Sequence, residues 1–262
     1  MNLMARHRAY GSPKVANPRI ILFGDSHTYA VQRAIERRVV KEIAVPLKAH
    51  RLRKTKNGIV MGDTSIEEFL AKASTLSDAD VVVSMIGGNQ HAVFSTVQHP
   101  RHFTFMLPGD KAARDDAEII PYRALAQHFE AGIRGRDGQS LEALRKAARG
   151  RVVHLQPPPP KRDNDHILRH HESRFSEDRI ADLGVSTPEL RMAFWQLQAT
   201  LLASLCAELD IEVLPPPPGA LDPDGFLAEA FYASDATHAN PLYGELVLQQ
   251  IEERFGRTET AA

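Results

Sequence analysis

The sequence predicts one α/β domain, with a central parallel sheet of about five strands covered by helices on both faces. Three observations predict it. Short apolar runs alternate with segments of helical periodicity along most of the 262 residues. The runs end in Gly, Asn or Pro punctuation, as strands leaving a buried sheet do. With 43% hydrophobic residues, the chain can furnish the core of one large domain.

The elements follow in order. Residues 19–23 form the first expected strand, and the helix over 27–40 carries Ala30, Ala34, Ile35 and Val39 at helical spacing. The apolar stretch 42–47 reads as the second strand. Ser65 and Glu68 stand in capping-box register, which opens a helix over 65–77. Residues 80–86 make the third strand, and helices are expected at 122–133 and 140–148. The fourth strand is 151–156, the long helix 188–210, the fifth strand 211–214 and the last helix 241–255.

Two polar segments do not fit this alternation, 90–116 after the third strand and 161–186 after the fourth. Leaving the carboxyl edge of a parallel sheet, where ligands bind in such folds, they can form a lid or rim, or embellish the surface. The tetraproline runs 157–160 and 215–218 each follow a strand and act as stiff stops, since proline has no amide hydrogen to extend the ladder. The expected organisation is an N-terminal extension over 1–18, the domain over 19–256 and a tail over 257–262.

Composition narrows the function. The single cysteine, Cys206, excludes an intramolecular disulfide, and its setting among Leu201, Leu202, Leu205 and Leu209 marks a core thiol. Neither a leader segment nor a run long enough to span a bilayer is evident, so a cytoplasmic location is expected. Net charge is −1, yet residues 1–56 hold thirteen basic against three acidic side chains. The cluster Lys48, Arg51, Arg53, Lys54 and Lys56 can attract an anionic substrate or serve as a solvated face. Nucleic acid is not expected as a partner, because aromatics are only 6% and do not interleave with the basic residues.

The chemistry-bearing residues fall at strand exits. Gly24-Asp25-Ser26-His27-Thr28 places a hydroxyl at the turn from the first strand into a helix, where free amides and the helix dipole favour a developing oxyanion. Asp25 or Ser26 could equally cap that helix. A serine nucleophile needs a positioned base. Asp235-Ala-Thr-His238, before the last helix, supplies a carboxylate and an imidazole three residues apart. Asp163-Asn-Asp-His166 is a competing copy inside the second insertion. Gly62, after the second strand, and Gly88-Asn89, after the third, offer further donors, or ordinary turn chemistry.

Taken in order from Gly24 to His238, these blocks resemble those of the SGNH/GDSL hydrolase family over essentially the whole chain. The resemblance implies a flavodoxin-like three-layer α/β/α sandwich, the SGNH hydrolase fold. It makes Ser26 the nucleophile and first oxyanion donor, Gly62 and Asn89 the other donors, and Asp235 with His238 the orienting carboxylate and base. His27, Asp25 and Gly88 become candidate substrate-binding residues. Gln90 departs from the Gly-x-Asn-Asp form common in the third block, and Gly62 is assigned through a loose motif. Gly-Asp-Ser-His resembles the form found in SGNH domains that move acyl groups on polysaccharides.

The expected activity is therefore hydrolysis of a small acyl ester, including an O-acetylated or anionic carbohydrate, with no cofactor and no metal. The alternatives are O-acyl transfer to a glycan, and a non-catalytic carbohydrate- or partner-binding protein on the same scaffold. His166, His170 and His171 are read as part of an exposed polar loop rather than as a metal site. Oligomeric state is left open.

Overall fold

The computed structural model describes residues 18–56, 58–110 and 117–256. The tail over 257–262 and all but the last residue of the N-terminal extension lie outside the described residues. Five strands make one parallel sheet: β1 (Ile20–Gly24), β2 (Lys48–Arg51), β3 (Val81–Met85), β4 (Arg151–Leu155) and β5 (Glu212–Leu214). Their spatial order is β2-β1-β3-β4-β5. Ile21 lies beside Lys48, Ile20 beside Val81, Val81 beside Arg151 and Val153 beside Glu212. This is the flavodoxin-like order, whose switch point lies between β1 and β3.

The alternation of side chains along the strands divides the core. Ile20, Leu22, Val81, Val83 and Leu155 pack on one face against α1 (Thr28–Val40) and the C-terminal helix Pro241–Phe255, through Val31, Tyr243, Val247 and Ile251. Ile21, Phe23, Val82 and Val152 pack on the other against α2 (Ile66–Ser74), helix Gln139–Ala147 and the C-terminal half of helix Pro188–Glu208. The result is the expected three-layer sandwich. Cys206 is buried in the second layer, where burial raises its thiol pKa to about 12.

Most helices start and stop close to the expected positions. Ser65 accepts a hydrogen bond from the Glu68 amide, and Glu68 accepts one from the Ser65 amide, completing the predicted capping box. The second strand is a correction. Residues 42–47 are not a strand: α1 runs to Val40, Glu42 takes a positive φ of 56° to reverse the chain, and Pro46 has no amide to give to a ladder. The strand is the polar Lys48–Arg51 instead, because β2 is the sheet edge and is only partly covered.

The insertions contain structure the periodicity did not reveal. The first begins with α3 (Gln90–Ser95), and the second contains α4 (Asn164–Arg169) and the turn Ser173–Glu177. The helices expected at 122–133 and 140–148 are one continuous rod. Tyr122–Gly132 passes through a π-helical turn, Ile133–Gly138, into Gln139–Ala147. A separate cluster, Ile167, Phe175, Ile180 and Ala236, seats the second insertion on the loop before the C-terminal helix. No helix among the described residues is long and apolar enough to cross a membrane.

Candidate active site

The exits of β1, β3 and β5 meet at the carboxyl edge of the sheet. At the end of β1, Gly24 runs so close to β3 that a methyl group there would lie 2.4 Å from the Met85 carbonyl oxygen. That close approach brings Asp25 and Ser26 against the loop after β3. The Asp25 amide donates to the Met85 carbonyl at 3.2 Å, and the Gly87 amide donates to Asp25 Oδ2 at 2.8 Å. Asp25 also accepts from Lys54 Nζ, so it is a buried brace between the two exits.

The structure joins Ser26, His238 and Asp235 in one relay. Ser26 Oγ lies 2.7 Å from His238 Nε2, and His238 Nδ1 lies 2.8 Å from Asp235 Oδ2. With its proton on Nδ1, the imidazole donates to the carboxylate and leaves Nε2 to accept from the serine hydroxyl. The other carboxylate oxygen, Asp235 Oδ1, accepts from the His238 amide at 2.7 Å and the Thr237 amide at 3.1 Å. Burial works against ionising Asp235, but the hydrogen bonds from His238 hold its carboxyl well below the usual range.

The competing pair is arranged differently. Asp163 Oδ1 accepts from the His166 backbone amide at 2.9 Å, so it caps α4 and does not orient the His166 ring. The His166 ring instead faces Lys161 Nζ at 3.3 Å and the carbonyls of Ala233 and Asp235 at 3.1 and 3.2 Å. It supports the loop that carries Asp235 and His238.

His27 is buried and its Nε2 lies 2.9 Å from Asn89 Oδ1. Burial, reinforced by the neighbouring His238, lowers its pKa to about 3 and keeps the ring neutral. A neutral ring with its hydrogen on Nε2 donates to Asn89 Oδ1, which turns the Asn89 amide nitrogen away from His27. Gly87 and Gly88 both take positive φ, of 81° and 98°, and Gly88 has no room for a methyl beside Pro157. These constraints set the approach of Asn89 to the sheet edge.

Gly62 has φ of 82° and packs against the segment leaving β2, where a methyl would lie 2.2 Å from the Leu52 carbonyl oxygen. The Leu52 amide in turn donates to the Gly24 carbonyl at 2.8 Å. Its glycine identity is thus explained by packing next to the end of β1.

Two supports of the loop that carries Asp235 and His238 have no sequence motif. Lys161, fully buried, donates to the carbonyls of Ala233 (2.7 Å) and Asp235, and burial lowers its pKa to about 8 against the pull of Asp235. Glu172 accepts from the Thr237 hydroxyl at 2.6 Å and the Ala236 amide at 3.2 Å. Its Oε1 lies 3.7 Å from His238 Nδ1, a second carboxylate beside the imidazole. Glu172, Asp235 and His238 have ligand atoms within 4.8 Å of one another, the one such cluster among the described residues. His238 Nδ1 in that cluster is already engaged by Asp235. His166 and His170 lie 4.8 Å apart between ring centres, tilted by 46°, and are not part of that cluster.

A pocket of about 530 Å³ opens beside His238. Ala92, Val93 and Phe94 of α3 line it, together with Phe175, Thr237, Asn89 and two arginines, Arg136 and Arg174. Both insertions therefore reach the rim of the site.

No family model matches the chain, and no curated protein matches it. Solved structures do. A GDSL-like lipase from Bacteroides thetaiotaomicron VPI-5482 is 12% identical, with 92% of this chain and 91% of that chain covered and a TM-score of 0.46. Phospholipase A1 from Streptomyces albidoflavus NA297 is 13% identical, over 90% of this chain and 99% of that one, with a TM-score of 0.47. A carbohydrate acetylesterase from Sinorhizobium meliloti is 12% identical, over 91% and 98% respectively, with a TM-score of 0.43.

Proposed function

We propose that this chain is a serine ester hydrolase of the SGNH/GDSL type, contained in one domain over 19–256, acting on small acyl esters through an acyl-enzyme on Ser26. The observation that carries the proposal is the unbroken relay from Ser26 Oγ to His238 Nε2 at 2.7 Å and from His238 Nδ1 to Asp235 Oδ2 at 2.8 Å.

In the first half-reaction Ser26 Oγ attacks the ester carbonyl carbon while His238 Nε2 takes the hydroxyl proton. The resulting imidazolium is stabilised by Asp235. The carbonyl oxygen becomes an oxyanion, for which the Ser26 amide, Gly62 and Asn89 are the donors in this reading. Collapse expels the alcohol, which receives the proton from His238 Nε2 and leaves the acyl group on Ser26 Oγ. Water then repeats the sequence: it loses a proton to His238, attacks the acyl carbon, and releases the acid and free Ser26. An acetylated carbohydrate fits this scheme as an ester of a sugar hydroxyl. The residues need no cofactor or metal for any step.

Release of p-nitrophenol from p-nitrophenyl acetate tests the proposal. Ser26→Ala is expected to lower kcat by roughly 10³-fold or more, leaving only what the surrounding donors supply. Wild-type protein should also be labelled by a fluorophosphonate probe, and Ser26→Ala should not. Equal turnover in the two proteins would remove Ser26 from the chemistry.

A further inference from the structure

We propose that the esters hydrolysed at this site carry an anionic group, a carboxylate or a phosphate, bound by Arg136 and Arg174 at the rim of the pocket beside His238. The inference rests on the serine-hydrolase reading of Ser26 and deepens it to a substrate class.

The pocket has one reactive end, with His238, Thr237 and Asn89, and apolar walls from Ala92, Val93, Phe94 and Phe175. Its cationic lining residues are Arg136 and Arg174, which come from different elements. Arg136 is placed by the π-helical turn Ile133–Gly138. That turn is pressed under the loop after β3: a methyl on Gly87 would lie 2.5 Å from Asp137 Oδ2, and one on Gly132 would lie 2.8 Å from Gln90 Nε2. Arg174 is carried by the second insertion, whose Phe175 is anchored against Ala236 of the catalytic loop. The elements that carry both arginines are thus seated by packing against the loops that carry Asn89 and Asp235.

Neither arginine is used up internally. Arg136 meets Asp137 through Nε at 2.9 Å and Nη2 at 3.5 Å, and its side chain remains 71% exposed, with Nη1 outside that pair. Arg174 Nε is 3.6 Å from Asp178, beyond hydrogen-bond length, and 53% of its side chain is exposed. The acidic lining residue, Glu172, has one oxygen taken by the Thr237 hydroxyl and the other by the Ala236 amide. A guanidinium presents parallel N–H donors that match a carboxylate or phosphate, and such charge-assisted bonds are roughly twice as strong as neutral ones.

The basic segment that drew attention in the sequence is largely committed elsewhere. Lys54 pairs with Asp25 at 2.5 Å, Arg53 with Glu68 at 3.3 Å, and Arg51 stacks 5.3 Å from the Tyr29 ring centre. None of that segment lines the pocket beside His238, whose cationic lining is Arg136 and Arg174.

Matched ester pairs test the inference in both halves of the substrate. p-Nitrophenyl hemiglutarate against p-nitrophenyl valerate places the charge on the acyl side; 4-acetoxybenzoate against 4-acetoxybenzamide places it on the alcohol side. In one arm at least, the anionic ester should have kcat/KM roughly 10- to 100-fold above its neutral partner. That ratio should fall toward one in the Arg136→Gln/Arg174→Gln double variant. In wild-type protein, added NaCl should raise KM for the anionic ester while sparing the neutral one. Comparing 4-acetoxyphenyl phosphate with 4-acetoxybenzoate then separates phosphate from carboxylate as the better anion. No anionic preference in either arm, or a preference that survives in the double variant, would overturn the inference. Ser26→Ala on p-nitrophenyl valerate keeps the two claims apart: a rate unchanged from wild type sinks the hydrolase reading, whereas a dead variant without anionic preference sinks only this one.

Discussion

An asparagine can serve an oxyanion only with its amide nitrogen turned to the reacting carbonyl, and here a buried neutral imidazole occupies the other side of Asn89. On the proposed reading of Asn89 as an oxyanion donor, the His27 to Asn89 contact of 2.9 Å makes His27 a positioning residue. His27→Phe keeps the ring volume but removes the donor, so kcat should fall by roughly 10- to 100-fold with little change in KM. Because burial keeps the His27 pKa at about 3, the pH profile of kcat/KM near neutrality should keep its shape in that variant. Steady-state kinetics against pH would check both; a matched rise in KM would instead indicate lost binding. Asp235→Asn should lower kcat by about 10⁴-fold through the wrong imidazole tautomer. His166→Ala, by contrast, should lower the melting temperature while leaving turnover far above that of Asp235→Asn. Ser26, Asp235 and His238 were legible in the sequence because the carboxylate and base sit three residues apart and the serine sits at a strand-to-helix turn. Lys161 and Glu172 were not, since their partners are largely backbone groups of a loop that has no shape until the chain folds.

At the scale of elements, apolar periodicity located most of the helices and four of the five strands within a few residues. It failed where burial was partial. β2 is an edge strand of polar residues, while the apolar 42–47 stretch beside it is a chain reversal ending in Pro46-Leu47, of which Leu47 is the buried member. The helices expected at 122–133 and 140–148 meet in one rod from 122 to 147, at a junction that carries Gly132, Gly135 and Gly138. The π-helical turn absorbs them, and Asp137 is buried there beside Gly87. The C-terminal helix meets α1 at Gly244, where a methyl would lie 2.1 Å from the Ala30 carbonyl oxygen. Gly244→Ala should therefore force the two helices apart and destabilise the fold by about 1–3 kcal/mol, read as a lowered midpoint in urea denaturation. An unchanged midpoint would mean that this contact relaxes freely.

At the scale of the whole molecule, three histidines among the described residues are neutral buried groups. Burial lowers His27 from 6.5 to about 3, and His91 and His154 from 6.5 to about 4. The unfolded chain takes up protons at these rings below about pH 6.5, whereas the folded chain does not until near pH 4, so the folded state binds fewer protons in between. Their contribution to stability is complete above pH 6.5 and is lost as pH falls toward 4, at roughly 1.4 kcal/mol per pH unit for each ring. Urea midpoints measured from pH 7 to pH 4.5 should fall steadily. His154→Leu, at a buried ring on β4, should make that fall shallower. A midpoint that does not move with pH would contradict the buried neutral state.

The clasp that Lys161, Ile167, Glu172 and Phe175 place on residues 233–238 has a further consequence for how this chain tolerates editing. Both members of the acid-base pair ride on one short loop, so whatever steadies that loop steadies the pair as a unit. A trimmed chain without 161–186 would still spell out Ser26, Asp235 and His238 in order, yet it would have discarded the loop's moorings. The second insertion is thus a structural creditor of the proposed chemistry, and insertions or deletions within it should be felt at the imidazole before they are felt in the core.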